Sequence, residues 1–203
     1  MTVRKLAIFI VIAVFPFSAF AKPLSYNYVD FVYVADTELE AGGGSVDGDG
    51  FALTGSALVS DQVFLVGGYT TVEYDGAGAD LELNELTFGF GLKHALQDDL
   101  HVFGALTYEN FEIEIPGIIK DDEDGFGARG GLRWALNPAF ELNGNVRYLD
   151  ISDVEGTFFQ VGGTYALNEQ WDVLADYTTG DYDVDGGPTI DRDDLRIAAR
   201  FNF

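Results

Sequence analysis

The side chains of this 203-residue chain that could do chemistry are two histidines, eleven basic residues and 34 carboxylates; cysteine is absent. His94 and His101 stand on either side of Gln97-Asp98-Asp99. A catalytic base must come within about 3 Å of the proton it removes, so the use of these histidines depends on where that turn sits. Without a thiol there is no disulfide scaffold and no thiolate metal site. Asp181, Asp183 and Asp185 put carboxylates at alternate positions, followed by Asp191, Asp193 and Asp194, while Asp47-Gly48-Asp49 and Asp121-Asp122-Glu123-Asp124 add more. Such hard oxygen ligands suit calcium or magnesium. No stretch has the spacing of an EF-hand, so the pattern reads as a solvated anionic surface that binds Ca2+ or Mg2+ weakly at most, with no other cofactor implied. Gly42-Gly43-Gly44 and Gly67-Gly68 lack the lysine and the strand-to-helix setting of a phosphate loop. The formal net charge of −23 repels phosphates and excludes a nucleic acid partner.

The elements that position these groups begin after a distinct leader. Arg4 and Lys5 precede an apolar run from Leu6 to Phe17, and Ala19-Phe20-Ala21 offers small residues where a signal peptidase needs them. The apolar run is too short for a helix crossing a bilayer, which needs roughly 20 residues. Residues 1–21 are therefore expected to be a signal peptide and 22–203 the mature domain.

From Leu24 onward, strand-like runs of roughly nine to twelve residues alternate with two kinds of connection. Short ones fall at Ser60-Asp61-Gln62, Gln97-Asp98-Asp99, Asn137-Pro138 and Asn168-Glu169. Long, acidic, glycine-rich ones occupy about 35–49, 75–82, 112–124, 152–156 and 179–193. Strict interleaving of the two makes five hairpins and ten strands, with eight as the alternative count, and is the pattern of a closed antiparallel transmembrane β-barrel. The period of two is clean in the later strands. Phe140, Leu142, Gly144, Val146 and Tyr148 oppose Glu141, Asn143, Asn145, Arg147 and Leu149; Trp171, Val173, Ala175 and Tyr177 oppose Asp172, Leu174, Asp176 and Thr178.

Alternation alone does not say which face is inside, since a soluble sandwich or lipocalin-like barrel alternates too. Three features decide for lipid on the apolar side. His94, Trp134 and Tyr165 precede short turns and Tyr108, Tyr148 and Tyr177 approach the long connections, forming two interfacial belts. The polar phase is balanced: Asp30, Glu85, Glu109, Glu141, Asp172 and Asp176 stand against Lys93, Arg129, Arg133, Arg147, Arg196 and Arg200. Confined charges need partners, so this set is expected to form a paired network in the lumen, leaving the acid excess in the loops. Finally, apolar residues alternate back from Phe203 through Phe201, as befits a last strand that pairs with the first and removes both edges.

Gly91-Leu92-Lys93-His94-Ala95-Leu96-Gln97, Gly131-Leu132-Arg133-Trp134-Ala135-Leu136-Asn137 and Gly162-Gly163-Thr164-Tyr165-Ala166-Leu167-Asn168 form a quasi-repeat whose period matches one hairpin. With Tyr26-Asn27-Tyr28-Val29 at the start and Phe201-Asn202-Phe203 at the end, the chain resembles the outer-membrane β-barrel superfamily, which includes the OmpA-like transmembrane domain and many porin-family proteins. The resemblance implies a Gram-negative outer-membrane location, contact with lipid and lipopolysaccharide, and delivery by the barrel-assembly machinery, with Phe201 and Phe203 as the assembly signal. It does not imply an activity. Ten strands also resemble omptin-like proteases, and lipid A-modifying barrels share the architecture, but both histidines flank a short, periplasmic-type turn, away from an extracellular substrate. The expected role is a structural or surface-interaction protein whose acidic loops meet an unidentified extracellular ligand. The alternative is a narrow ion or small-solute channel, suggested by ten strands and by inward Gly89, Gly91, Gly127 and Gly131.

Overall fold

The structure, a computed structural model, describes residues 24–75, 80–115, 117 and 119–203; the expected leader and residues 76–79 of one long connection lie outside them. Ten strands follow in order: β1 (Tyr28–Ala41), β2 (Gly44–Leu58), β3 (Val63–Tyr74), β4 (Leu81–Gln97), β5 (Leu100–Ile115), β6 (Ile119–Asn137), β7 (Phe140–Ile151), β8 (Val154–Ala166), β9 (Trp171–Val184) and β10 (Thr189–Asn202). Each pairs antiparallel with its sequence neighbours, and β1 pairs with β10, so the sheet closes into a barrel of ten strands. Closure leaves no strand edge in hydrocarbon, where an unpaired backbone group costs several kcal/mol. No helix among the described residues is long and apolar enough to cross a membrane; the crossing is made by strands.

Alternation resolves as lipid outside. Phe51, Phe88, Phe90, Leu92, Leu106, Phe126, Phe159 and Val161 are all more than half exposed, and Phe126 reaches 72%. Carboxylates and guanidinia of the opposite phase are buried: Asp30, Glu109, Asp172 and Arg200 are each at or below 9%. In water that arrangement would be strongly unfavourable; in a bilayer it is the only stable one.

The repeat explains the short turns. Asn137 Oδ1 accepts hydrogen bonds from the backbone N–H of Ala139 and Phe140 at 2.9 and 3.0 Å, and Asn168 Oδ1 does the same for Gln170 and Trp171 at 2.9 Å each. The asparagine that ends the second and third repeats is thus an Asx-type turn former. Leu96 and Leu136 sit at register shifts in β4 and β6, where the strand gains a residue and its leucine turns outward, 54% and 43% exposed.

The long connections differ from the expectation. The segments 35–49, 112–124 and 179–193 are mostly strand: β1 and β2 meet at Gly42-Gly43, whose φ values of +60° and +85° are those of a tight hairpin turn, and β9 and β10 flank only 185–188. Spanning a bilayer takes about 9–11 tilted residues, so β5 with 16 and β6 with 19 overrun it. Glycine and aspartate content, which suggested loops, reflects strands that have left the membrane rather than ended. Beyond that point the sidedness inverts. Val34, Val72, Tyr74, Leu83, Phe111, Leu149, Ile151, Phe158 and Tyr182 form an apolar cluster inside the barrel, while Glu40, Glu73, Asp183 and Asp191 are exposed outside it.

Candidate functional site

The lumen is where charged side chains from many strands converge, and local strand period puts them there. At the seam, Asp30 of β1 faces Arg200 of β10 directly, and the guanidinium grips the carboxylate through Nε and Nη2 at 2.7 and 2.8 Å. The same guanidinium lies 3.7 Å from the centre of the Tyr28 ring. Higher on the seam, Thr37 donates to Asp194 Oδ1 at 2.6 Å. Bidentate geometry is the strongest form of such a pair, so the first and last strands are joined by side chains as well as by backbone.

A second group crosses the lumen. Arg192 of β10 bonds Glu85 of β4 and Tyr182 Oη (3.0 Å), and its Nε reaches Asp194 at 3.0 Å. Glu85 lies 3.8 Å from Arg147 of β7, whose Nη2 donates to Glu109 of β5 at 2.8 Å. Glu109, fully enclosed, also accepts from Thr87 and Thr107 at 2.6 Å each. An alternating chain of charges, Arg192–Glu85–Arg147–Glu109, thus spans the barrel just beneath the apolar cluster. Arg196 pairs with Asp176 at 2.6 Å across β9–β10.

The periplasmic mouth is filled differently. The segment before β1 turns inward and buries Leu24 and Tyr26. Arg133 holds Glu141 at 2.7 and 2.9 Å and donates to the Ser25 carbonyl at 2.5 Å. The Tyr26 ring lies between Arg133 and Lys93, 4.7 and 4.9 Å from its centre, and stacks on His101 at 6.0 Å. Phe64 abuts Tyr26 at 5.0 Å, and Phe103 lies beyond Phe64. Asp172 accepts from Asn202 at 2.9 Å at the same end.

All twelve charged residues expected in the lumen face it, and two more join them. Arg192 and Asp194 were hidden in the acidic run near the chain end, assigned to a loop; β10 begins at Thr189, so both are strand residues on the inward phase. The inward glycines do not widen a path. A Cβ on Gly91 would lie 2.3 Å from Phe64 Cζ, one on Gly131 2.9 Å from Phe103 Cζ, and one on Gly127 2.6 Å from Glu109 Oε1. They are small because neighbouring side chains and, for Gly89 and Gly131, the backbone of the adjacent strand occupy their space. Within the network a cavity of about 230 Å3 remains, lined by Arg129, Arg147, Thr178 and Arg196 among others.

Asp181 and Asp183 face outward on β9, opposite Asp191 and Thr189 of β10, and Asp183 accepts from the Thr189 hydroxyl at 2.8 Å. Asp185 lies in the exposed turn beyond. Among the described residues no three His, Asp or Glu side chains come together as a metal site. At the β5–β6 hairpin Lys120 bonds Glu112 at 2.9 Å, which holds its ammonium above the ordinary lysine value. His94 is exposed on the outer face. Phe201 packs on Trp171 with ring centres 5.1 Å apart, and Phe203 is exposed.

A family model described as the outer membrane protein beta-barrel domain matches residues 7–165. The chain belongs to this family. It is an outer-membrane β-barrel that crosses the membrane many times and lives in outer-membrane lipid. Comparison with curated proteins finds no match. Among solved structures the chain is similar to Neisserial surface protein A, with 14% identity over 88% of this chain and 98% of that one and a TM-score of 0.55. Weaker similarity extends to Ail, the attachment invasion locus protein of Yersinia pestis (11% identity, 86% and 97% covered, TM-score 0.45), and to the KdgM porin (12%, 87% and 99%, 0.43). At such identities the likeness is one of fold.

Proposed function

We propose that this barrel is a closed outer-membrane platform, a structural or surface-interaction protein that holds acidic hairpins at the cell exterior. The observation that carries the reading is double occlusion of the lumen: the cross-lumen chain Arg192–Glu85–Arg147–Glu109 under an apolar cluster at one end, and Tyr26 with Phe64 and Arg133 at the other. Buried charges with hydrogen-bonded partners are held rigidly, so the lumen serves as packing rather than as a path. The ligand-facing part is then the outer surface of the hairpins, where Glu40, Asp191 and Asp181 lie side by side across three strands. This surface suits a cationic extracellular partner and accumulates Ca2+ or Mg2+ diffusely beside lipopolysaccharide.

The same reading has residues 1–21 removed at export, Phe201 and Phe203 engaging the assembly machinery, and no enzymatic role. His101 is enclosed against Tyr26 at the periplasmic mouth and His94 lies on the outer face at that same end. Planar-bilayer recordings of refolded protein, with and without millimolar calcium, test the platform against the narrow-channel alternative. No stable conductance is the expected result. Steady ohmic openings that increase when Arg129 and Arg133 are replaced by Ala would replace the platform with the channel.

A further inference from the structure

Five of the lumen guanidinia have a carboxylate within 4 Å: Arg133, Arg147, Arg192, Arg196 and Arg200. Among the described residues Arg129 has none, and unlike Lys93 it has no aromatic ring to lie against. Its cross-strand partner on β7 is another cation, Arg147. Arg196 adds a second like charge, and the one carboxylate among the charges that act most strongly on Arg129, Glu109, is already bonded to Arg147, Thr87 and Thr107. Directly opposed like charges destabilise a sheet, and in a confined space of low dielectric the cost rises. The other lumen guanidinia are each paired with a carboxylate.

The surroundings of Arg129 have what a negative ion needs. It lines the cavity of about 230 Å3 together with Arg147, Arg196 and Thr178. Arg147 Nε and Thr178 Oγ1 are buried polar atoms with no hydrogen-bond partner. Buried donors left without acceptors are rare in native proteins. Three guanidinia and a hydroxyl thus line a lumenal cavity, shared with Asp30, Glu85, Glu141, Asp176 and Asp194, that is large enough for a dehydrated small ion and a few waters.

We propose that the lumen is a binding site for a small monovalent anion of halide size, held by Arg129 with Arg147 and Arg196. The anion supplies the acceptor that Arg129 lacks and lifts its conflict with Arg147. The site is independent of whether the barrel conducts, because a sealed lumen and a narrow pore leave Arg129 equally without a carboxylate.

The test uses refolded full barrel in a zwitterionic detergent, with sodium bromide exchanged for sodium gluconate at constant ionic strength. Bromide should raise the thermal midpoint of the wild-type protein by about 3 °C or more at saturation. In Arg129→Met the bromide dependence should vanish, and the variant in gluconate should melt above the wild type in gluconate, since a repulsion has been removed. Arg129→Lys should keep the bromide effect. Anomalous diffraction from bromide-soaked wild-type crystals gives a readout that needs no variant: a peak between Arg129 and Arg147 is expected. Equal midpoints in the two salts, a bromide shift that persists in Arg129→Met, or anomalous peaks confined to the outer surface would each overturn the site.

Discussion

Glu109 is the carboxylate on which the lumen network depends most, and Glu109→Gln is the substitution that tests it. The side chain is wholly enclosed and bonds Thr87, Thr107 and Arg147 at 2.6, 2.6 and 2.8 Å. Glutamine keeps the shape and can still accept from one threonine, but it removes the charge. Arg147 is then left with Glu85 at 3.8 Å, and Glu85 is already engaged by Arg192. Removing one partner of a buried pair costs about 3–5 kcal/mol. Arg129 and Arg196 also lose the carboxylate that offsets their mutual repulsion, which puts the expected cost of Glu109→Gln near 3 kcal/mol despite the conservative shape. Urea unfolding of the barrel in lipid vesicles, followed by tryptophan fluorescence, measures this. A double-mutant cycle with Arg147→Met makes the prediction sharper. The double variant, with neither charge, should be more stable than Glu109→Gln alone, with a coupling of about 2 kcal/mol or more. A loss under about 1 kcal/mol, or strictly additive effects, would refute the view of the lumen as a set of mutually dependent pairs.

Three other expectations concern the frame around the network. Gly89→Ala should block refolding, because its Cβ would lie 2.1 Å from the Leu106 carbonyl oxygen and 2.7 Å from Thr107 Cα, both backbone atoms with no room to move; the fraction of heat-modifiable folded band on a gel reports it. Asn168→Ala removes the acceptor for two backbone N–H groups in the turn before β9 and should cost about 1 kcal/mol in urea unfolding, with Asn168→Asp retaining most of the stability. Asp191→Asn relieves like charges directly opposite at Asp181 and Glu40 and should stabilise by a few tenths of a kcal/mol at low ionic strength. That gain should disappear in molar salt, where exposed charges are screened.

The expected strand number, the hairpin order and the lipid-facing phase all agree with the structure, because each rests on a local rule. A period of two assigns Phe140, Leu142 and Val146 to one face and Glu141, Asn143 and Arg147 to the other wherever the strand is placed, and the paired turn amides Asn137 and Asn168 mark the ends of hairpins. The expectation went wrong where composition was taken as a proxy for conformation in place of that rule. Asp191, Arg192, Asp193 and Asp194 looked like loop because they are charged and follow glycines, yet they continue β10 with Arg192 and Asp194 inward. Alternation does run through that stretch and would have found them.

Residue types and spacing alone determined that this chain forms a closed barrel in lipid with a balanced charge set inside. Only the tertiary structure decided which charge meets which. Arg192 reaches Glu85 across 107 positions of sequence, Gly91 is small for the sake of Phe64, and Arg129 finds Arg147 opposite it instead of a carboxylate. Side-chain phase is a property of one strand, whereas contacts across a lumen depend on how ten strands are staggered and tilted around a common axis, and that stagger is set by the whole ring of pairings at once.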